Sequence, residues 1–88
     1  MDEIDIRVRI GLRIKQLRAK AGFTQDQLAY SIDISRSYLA EVETGKRNIS
    51  SVNLERICGG LGVSLAEFFN NELFEQVLPC AELVSTKS

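Results

Sequence analysis

The 88-residue chain contains no histidine, and its two cysteines, Cys58 and Cys80, lie far apart without a CxxC spacing. Because zinc is held in proteins mainly by closely spaced cysteine and histidine ligands, a zinc site is not expected. The sequence also lacks a glycine-rich phosphate loop, and no nucleophile has a recognisable partner base. These absences leave an enzyme without support, and no cofactor is expected.

Long apolar runs are also missing from the sequence. No run approaches the roughly 20 residues that a helix needs to cross a bilayer. The charged N-terminus, MDEIDIRVRI, has no signal-peptide apolar region. Hydrophobic residues nevertheless make up 44% of the chain, which is typical of a globular protein. We therefore expect one small helical domain in the cytoplasm.

The net charge of −1 conceals an uneven distribution along the chain. Residues 7–56 carry ten Lys or Arg and five acids, a net charge of +5. The first six residues and the last 32 each carry a net charge of −3. This segregation predicts a positive face and an acidic opposite pole, although a merely solvated basic face on the first helix is the alternative.

The hydrophobic pattern predicts five helices, of which the first covers about residues 6–20 and ends at Gly22. Its apolar residues recur at spacings of three and four and form one stripe: Ile6, Ile10, Ile14, Leu17 and Ala21.

The second and third helices are predicted to be short and separated by a tight turn. Thr24 and Gln27 form a capping box at the start of helix 2, and Ser35 caps helix 3, which ends at Gly45. Asp33 occupies the turn because it tolerates a left-handed backbone better than most residues. The inward residues are Leu28, Ala29 and Ile32 in helix 2 and Leu39 and Val42 in helix 3.

Helix 4 is predicted to start near residues 50–51 and to be weakened and ended by glycines at 59, 60 and 62. Ser64 and Glu67 form another capping box that opens helix 5 through Phe69. Residues 1–5 are expected to be an acidic leader, 6–78 the folded domain and 79–88 a polar tail. The inward residues of helix 4 are Val52, Leu54, Ile57 and Leu61, and Cys58 is expected in the core.

The segment 22–47 favours sequence-specific DNA binding. A short helix that exposes polar groups at its N-terminus and is flanked by positive charge can enter a major groove. Three ordered segments within about residues 8–70 also resemble the lambda-repressor-like (Cro/repressor, XRE-type) helix-turn-helix family: RIKQLRAKAGFTQDQLA, YLAEVETGKRNIS and LGVSLAEFF. The resemblance implies a compact, all-α, five-helix DNA-binding domain with the helix-turn-helix at helices 2 and 3.

Within this family, the chain resembles most the controller proteins of restriction–modification systems. They share the short chain, the Arg-Ser/Thr-Tyr start of helix 3 and the Arg-Asn-Ile/Leu-Ser/Thr run after it. The chain departs from the family in two places, since Asp33 stands where glycine is frequent and Ile49 where proline is frequent.

The resemblance assigns the start and exposed face of helix 3 to base edges: Ser35, Arg36, Ser37, Ala40 and Glu41. Arg36 is the principal candidate, because arginine can donate two hydrogen bonds to the O6 and N7 atoms of guanine. For Glu41, acceptance from cytosine N4 and simple solvation both stay open.

The resemblance assigns a second group to DNA phosphates: Gln25, Tyr38, Lys46, Arg47 and Asn48. The glutamine lies at a helix N-terminus, where free N–H groups and a partial positive charge suit an anion. Tyr38 could instead stack on a thymine methyl or be a half-buried amphipathic residue, and the loop 46–48 could be a flexible surface loop. Arg18 and Glu43 occupy the positions of a family salt bridge that fixes helix 3 against helix 1.

One domain offers few base contacts, so we expect a dimeric transcription regulator that reads a pseudo-palindrome with two domains about 34 Å apart. The association face is expected on helix 5 and a helical extension of it: Leu65, Phe68, Phe69, Leu73 and Phe74. Phe74, with Val77 and Leu78, could instead close over the core of its own monomer.

The expected partners are double-stranded DNA, a second copy of the chain and, for an activator, RNA polymerase. An antitoxin-type regulator that also masks a toxin is one alternative, and a protein-interaction module that lacks DNA binding is another.

Overall fold

The computed structural model describes residues 5–75 and consists of five α-helices followed by one turn of 3₁₀ helix. The predicted all-α, five-helix class is confirmed. The α-helices are α1 (Ile6–Ala21), α2 (Gln25–Ser31), α3 (Arg36–Glu43), α4 (Ser51–Leu61) and α5 (Leu65–Phe69), and the 3₁₀ turn covers Glu72–Phe74. Within residues 5–75, no helix is long and apolar enough to cross a membrane. Several predicted features lie outside the described residues, namely most of the acidic leader, Val77, Leu78, Cys80 and the polar tail from Pro79.

Each α-helix begins at a side chain that accepts a hydrogen bond from a backbone N–H of the first turn. These N-caps are Asp5, Thr24, Ser35, Ser50 and Ser64. At α2 the predicted capping box is complete, because the backbone N–H of Thr24 donates in return to Gln27 Oε1 at 2.9 Å. A cap of this kind stabilises a helix by about 1 kcal/mol.

The Asp5 cap is reinforced by charge. Arg7 donates to the Asp5 carboxylate from both its side chain and its backbone N–H, and these bonds lower the pKa of Asp5 to about 2. The carboxylate at the start of α1 therefore stays ionised at lower pH than an ordinary aspartate, and its negative charge suits the positive end of the helix.

The turn between α2 and α3 is made by Asp33, whose φ of 60° is left-handed as predicted. Gly22 and Gly62 end α1 and α4 in the same conformation, with φ of 82° and 76°. Asp33 lacks the freedom of glycine, so this turn stores strain that packing on either side must offset.

The core lies where α1 packs against α3 and α4, and α2 packs against the same two helices. It contains Ile14, Leu17, Leu28, Ala29, Leu39, Val42, Leu54, Ile57, Cys58 and Phe68. Burial raises the pKa of the Cys58 thiol, so the group stays protonated at neutral pH and packs as a small apolar side chain, as predicted.

Three of the predicted inward residues are exposed. Val52 is 68% exposed because it lies about 200° around the helix from Leu54, which faces the core. Ile6 and Ala21 are exposed at the two ends of α1. This helix has 16 residues, whereas the helices packed against it have 8 and 11, so its apolar stripe extends beyond the core.

The predicted helical extension of α5 is wrong. The helix ends at Phe69, and Asn70 interrupts it with φ −83° and ψ 75° before the separate 3₁₀ turn. Leu73 therefore does not continue a stripe from Leu65. Phe68 is fully buried in the monomer core, so its assignment to an association face is also wrong. Phe74 packs against the core and against Phe68 and Phe69, which was the alternative for this residue.

Two arginines of α1 fasten the C-terminal part of the domain. Arg13 donates to the carbonyl oxygens of Phe68 and Glu67 at 2.7 and 2.9 Å, and Arg9 donates to that of Leu73 at 3.2 Å. These two cations therefore hydrogen-bond backbone carbonyl groups at the end of α5 and in the 3₁₀ turn.

At Gly11 the backbone of α1 lies close to the backbone at the end of α3. A β-carbon on Gly11 would lie 2.6 Å from the carbonyl oxygen of Glu43 and still closer to that of Val42. Because backbone atoms cannot move aside as a flexible side chain can, any larger residue must push the two helices apart.

Gly11→Ala is expected to destabilise the domain by about 1–3 kcal/mol, because overpacking outweighs the gain of about 1 kcal/mol in helix propensity. Gly59→Ala in α4 is the matched control, since a β-carbon there meets nothing within 4 Å. That change should stabilise the domain by roughly 0.5–1 kcal/mol. Urea unfolding followed by circular dichroism measures both, and equal stability of the two variants would contradict the close contact at Gly11.

Candidate nucleic-acid interface

The exposed face of α3 carries the residues that were predicted to meet base edges. Ser35, Arg36, Ser37 and Glu41 are exposed, and Ala40 is half-buried. The opposite face of the helix, formed by Leu39 and Val42, lies in the core. A helix that is anchored by one face and presents small and polar groups on the other can lie in a groove without disturbing its own packing.

Arg36 stands between the starts of α2 and α3 and faces a carboxylate. Its Nε lies 3.5 Å from Asp26 Oδ1, and the two side chains are 65% and 74% exposed. An ion pair this open to water contributes little to stability. The guanidinium is therefore free to exchange Asp26 for a partner of better geometry.

The end of α3 is fixed by a buried carboxylate. Glu43 is 5% exposed and accepts from Arg18 Nε at 2.6 Å, from Arg18 Nη2 at 3.0 Å and from Gln25 Nε2 at 2.9 Å. The same arginine donates to the carbonyl oxygen of Phe23 at 2.9 Å. This network ties α3 to α1 and to the first residue of α2. The bonds to Glu43 also raise the pKa of Arg18, which stays charged.

Gln25 has a role that its sequence position did not reveal. Its side-chain amide nitrogen donates one N–H to Glu43 and carries a second N–H that can donate to another acceptor. The residue also begins α2, so its backbone N–H belongs to the positive end of that helix. A phosphate held by Gln25 would thus be linked through one amide to the carboxylate that fixes α3.

Tyr38 lies at the junction of α3, α4 and the loop after α3. Its hydroxyl oxygen accepts from Asn53 Nδ2 at 3.0 Å, and its half-buried ring packs on the core. The Arg47 guanidinium lies 4.9 Å from the ring centroid, a distance at which the ring attracts a cation. Arg47 Nε is also 3.5 Å from Glu41 Oε1.

The loop after α3 exposes three side chains predicted to meet phosphates: Lys46, Arg47 and Asn48. It is not a free tether, because the backbone N–H of Lys46 donates to the carbonyl oxygen of Glu41 at 2.9 Å. Gly45, with φ 80°, makes this return possible. The loop therefore begins at a fixed position relative to the exposed face of α3.

Two groups of the predicted site residues come together in this way. One contains Arg36 and Gln25 beside Asp26, and the other contains Tyr38, Glu41 and Arg47. Asn53 joins the second group through its hydrogen bond to Tyr38. No motif indicated this residue, because a contact between α3 and α4 produces no periodic pattern in the sequence. Among residues 5–75, no cluster of three or more metal-binding side chains occurs.

Comparison with known proteins agrees with this geometry. A family model described as helix-turn-helix matches residues 14–68. Control protein C.MunI from Mycoplasma sp is 46% identical over 68 residues, which are 76% of this chain and 92% of that protein. Control protein C.BamHI from Bacillus amyloliquefaciens is 38% identical over 60 residues, 67% of this chain and 74% of that one.

Solved structures give the same assignment. The restriction–modification controller protein C.Esp1396I, crystallised as a tetramer with its 35-base-pair operator, superposes with a TM-score of 0.71 at 36% identity over 76% of this chain and 88% of that chain. The clp gene regulator ClgR from Corynebacterium glutamicum reaches a TM-score of 0.79 at 29% identity over 98% and 92% of the two chains. The chain belongs to the helix-turn-helix family of DNA-binding transcription regulators, and controller proteins of restriction–modification systems are among its relatives.

Proposed function

We propose that this protein is a transcription regulator that binds a pseudo-palindromic operator as a dimer and controls a restriction–modification system. The observation that carries the proposal is the exposed polar face of α3, held in place by the buried Glu43 and flanked by Arg36 and Arg47. A fixed helix with bidentate donors at its rim is the arrangement that direct readout of base edges needs.

Base recognition would proceed by exchange of partners. In the free protein Arg36 faces Asp26, and on the operator its guanidinium would turn to the O6 and N7 atoms of a guanine. The exposed pair with Asp26 is weak, whereas a bidentate contact with the correct base is not. Random DNA presents a guanine at the required position in only a fraction of its sites, so the exchange favours the operator.

The backbone contacts would lie on either side of α3. Gln25 would hold a phosphate at the start of α2, while Lys46, Arg47 and Asn48 would follow the strand beyond the end of α3. Phosphate contacts fix the register of a protein on DNA but carry no sequence information directly. They therefore determine how strongly the domain binds and where α3 enters the groove.

Dimerisation would use α5, the helix that packs on α4. Leu65 and Phe69 are each 39% exposed, four residues apart on one face of this helix. Leu73 and Phe74, in the 3₁₀ turn, are half-buried. Two-fold symmetry would bring this face against its copy. C.Esp1396I assembles as a tetramer on its operator, which supports self-association in this family.

RNA polymerase would be a further partner only if the operator lies where the bound protein can activate a promoter. Access to DNA would place the protein in the cytoplasm.

Arg36→Ala is expected to weaken binding to the operator by about 1–3 kcal/mol and to weaken binding to random DNA much less. The operator is the duplex that the wild-type protein selects from a random library. Lys20→Ala is the matched control, since it removes the same charge beside Val63 and Glu67 on the α5 side of the domain. Fluorescence anisotropy measures both duplexes, and equal losses on the two would make Arg36 a phosphate contact.

Replacing Lys46 and Arg47 together by alanine should weaken binding to every duplex. Loss of two phosphate contacts should reduce the slope of log affinity against log salt by about one to two units. Titrations at several salt concentrations measure this slope. An unchanged slope would mean that the loop points into solvent in the complex.

Leu65→Glu is expected to give a folded monomer that binds the operator weakly, because a charge at the centre of the α5 face would have to be buried in the dimer. Val52→Glu is the matched control, an equal change at an exposed apolar residue of α4. Sedimentation equilibrium measures the assembly, and circular dichroism checks the fold. A Leu65→Glu protein that remains dimeric would place the interface elsewhere.

A further inference from the structure

We infer that Asn53, on α4, is a positioning residue for DNA binding. It holds the Tyr38 hydroxyl as a hydrogen-bond acceptor and so directs the phenolic proton to a phosphate oxygen of the DNA. The inference rests on the proposed function and assigns a role to a residue outside α2 and α3.

The amide group of Asn53 is supplied by a rigid part of the fold. The residue is in the first turn of α4, and its backbone N–H donates to the N-cap hydroxyl of Ser50 at 3.1 Å. The next residue, Leu54, is buried in the core, so the start of α4 is fixed on both sides. From this position Asn53 Nδ2 reaches Tyr38 across 15 residues of chain, in a partly buried bond of 3.0 Å.

The direction of this bond determines what the hydroxyl can do next. A phenol has one proton to donate, and its oxygen can accept. Because Asn53 donates its N–H, the bond uses the oxygen and leaves the proton of Tyr38 unused. DNA phosphate oxygens accept hydrogen bonds and cannot donate them. The hydroxyl therefore faces DNA with the polarity that a phosphate requires.

Arg47 completes the arrangement from a second direction. Its guanidinium lies 4.9 Å from the centroid of the Tyr38 ring, and the half-buried tyrosine also packs against the core. The phenol is thus confined by its hydroxyl, by its ring and by the core before any DNA arrives. A side chain that is already ordered loses little freedom on binding, so the contact gains strength from preorganisation.

A thermodynamic cycle on operator affinity tests this inference. Tyr38→Phe should weaken binding by about ten- to a hundredfold, as expected for one hydrogen bond to a charged phosphate, and Asn53→Ala by about three- to tenfold, because it loosens the hydroxyl without removing it. In the Tyr38→Phe background, Asn53→Ala should have almost no further effect, because the hydroxyl on which the amide acts is already gone. Neither change removes a charge, so the salt slope should stay that of the wild type.

Asn53→Asp is the second variant, and it reverses the polarity of the bond. A carboxylate can only accept hydrogen bonds, so the Tyr38 hydroxyl would donate to it instead of to a DNA phosphate. Its loss of affinity should exceed that of Asn53→Ala, and the excess should shrink in the Tyr38→Phe background. Asn70→Ala, at an exposed asparagine after α5, is the matched control and should bind as the wild type does. Thermal unfolding by circular dichroism checks that each variant is folded.

Equal effects of Asn53→Ala with and without the Tyr38 hydroxyl would overturn the inference, and so would wild-type affinity in both Asn53 variants. Both results assume a wild-type protein that binds the selected operator. A wild-type protein that selects no duplex at all would overturn the proposed function itself, which separates the two failures.

Discussion

The geometry of the exposed face of α3 depends on one buried carboxylate. Glu43 ends α3, where Arg18 of α1 neutralises it and donates two hydrogen bonds, and Gln25 of α2 donates a third. A carboxylate in this position is costly to bury, and removing one partner of such a pair costs about 3–5 kcal/mol. An apolar substitute could fill the same volume, but it would accept no hydrogen bonds. The network thus fixes the angle of α3 more than it adds stability.

Close backbone contact and charge act together at this end of α3. Gly11 lets α1 approach the carbonyl oxygens of Val42 and Glu43, and the ion pair between Arg18 and Glu43 forms about two turns further along α1 and on the same side. Neither feature alone would define the crossing of the two helices. Together they fix the position of α3 relative to α1, and with it the position of the exposed face of α3. Arg36 and Arg47 then stand at its rim, each beside an exposed carboxylate of its own chain.

Much of this fold could be predicted because its determinants are local. The caps at Thr24 and Ser35 and the left-handed turn at Asp33 depend on a few neighbouring residues, and each occurs where the sequence placed it. The errors concern tertiary packing. Phe68 could not be separated from Phe69 by hydrophobicity, because only the position of α4 decides which ring enters the core.

The site shows the same division between local and distant contacts. Arg36 and Arg47 could be located from motifs, since both lie next to the ends of α3. The bonds from Gln25 to Glu43 and from Asn53 to Tyr38 span 18 and 15 residues and follow from how the helices are packed. A side chain that orients another residue follows no sequence pattern of its own, so it can be identified only from the three-dimensional structure.

The buried thiol of Cys58 gives the core a built-in reporter of its own motions. The side chain is 2% exposed, and burial raises its pKa, so a thiol reagent cannot reach a reactive thiolate while α4 stays packed. With Cys80 replaced by serine, Cys58 is the one remaining thiol of the chain. The rate at which it is labelled in native buffer then measures how often this helix opens. If a bound operator slows the labelling, DNA binding at α3 reduces the frequency with which α4 opens.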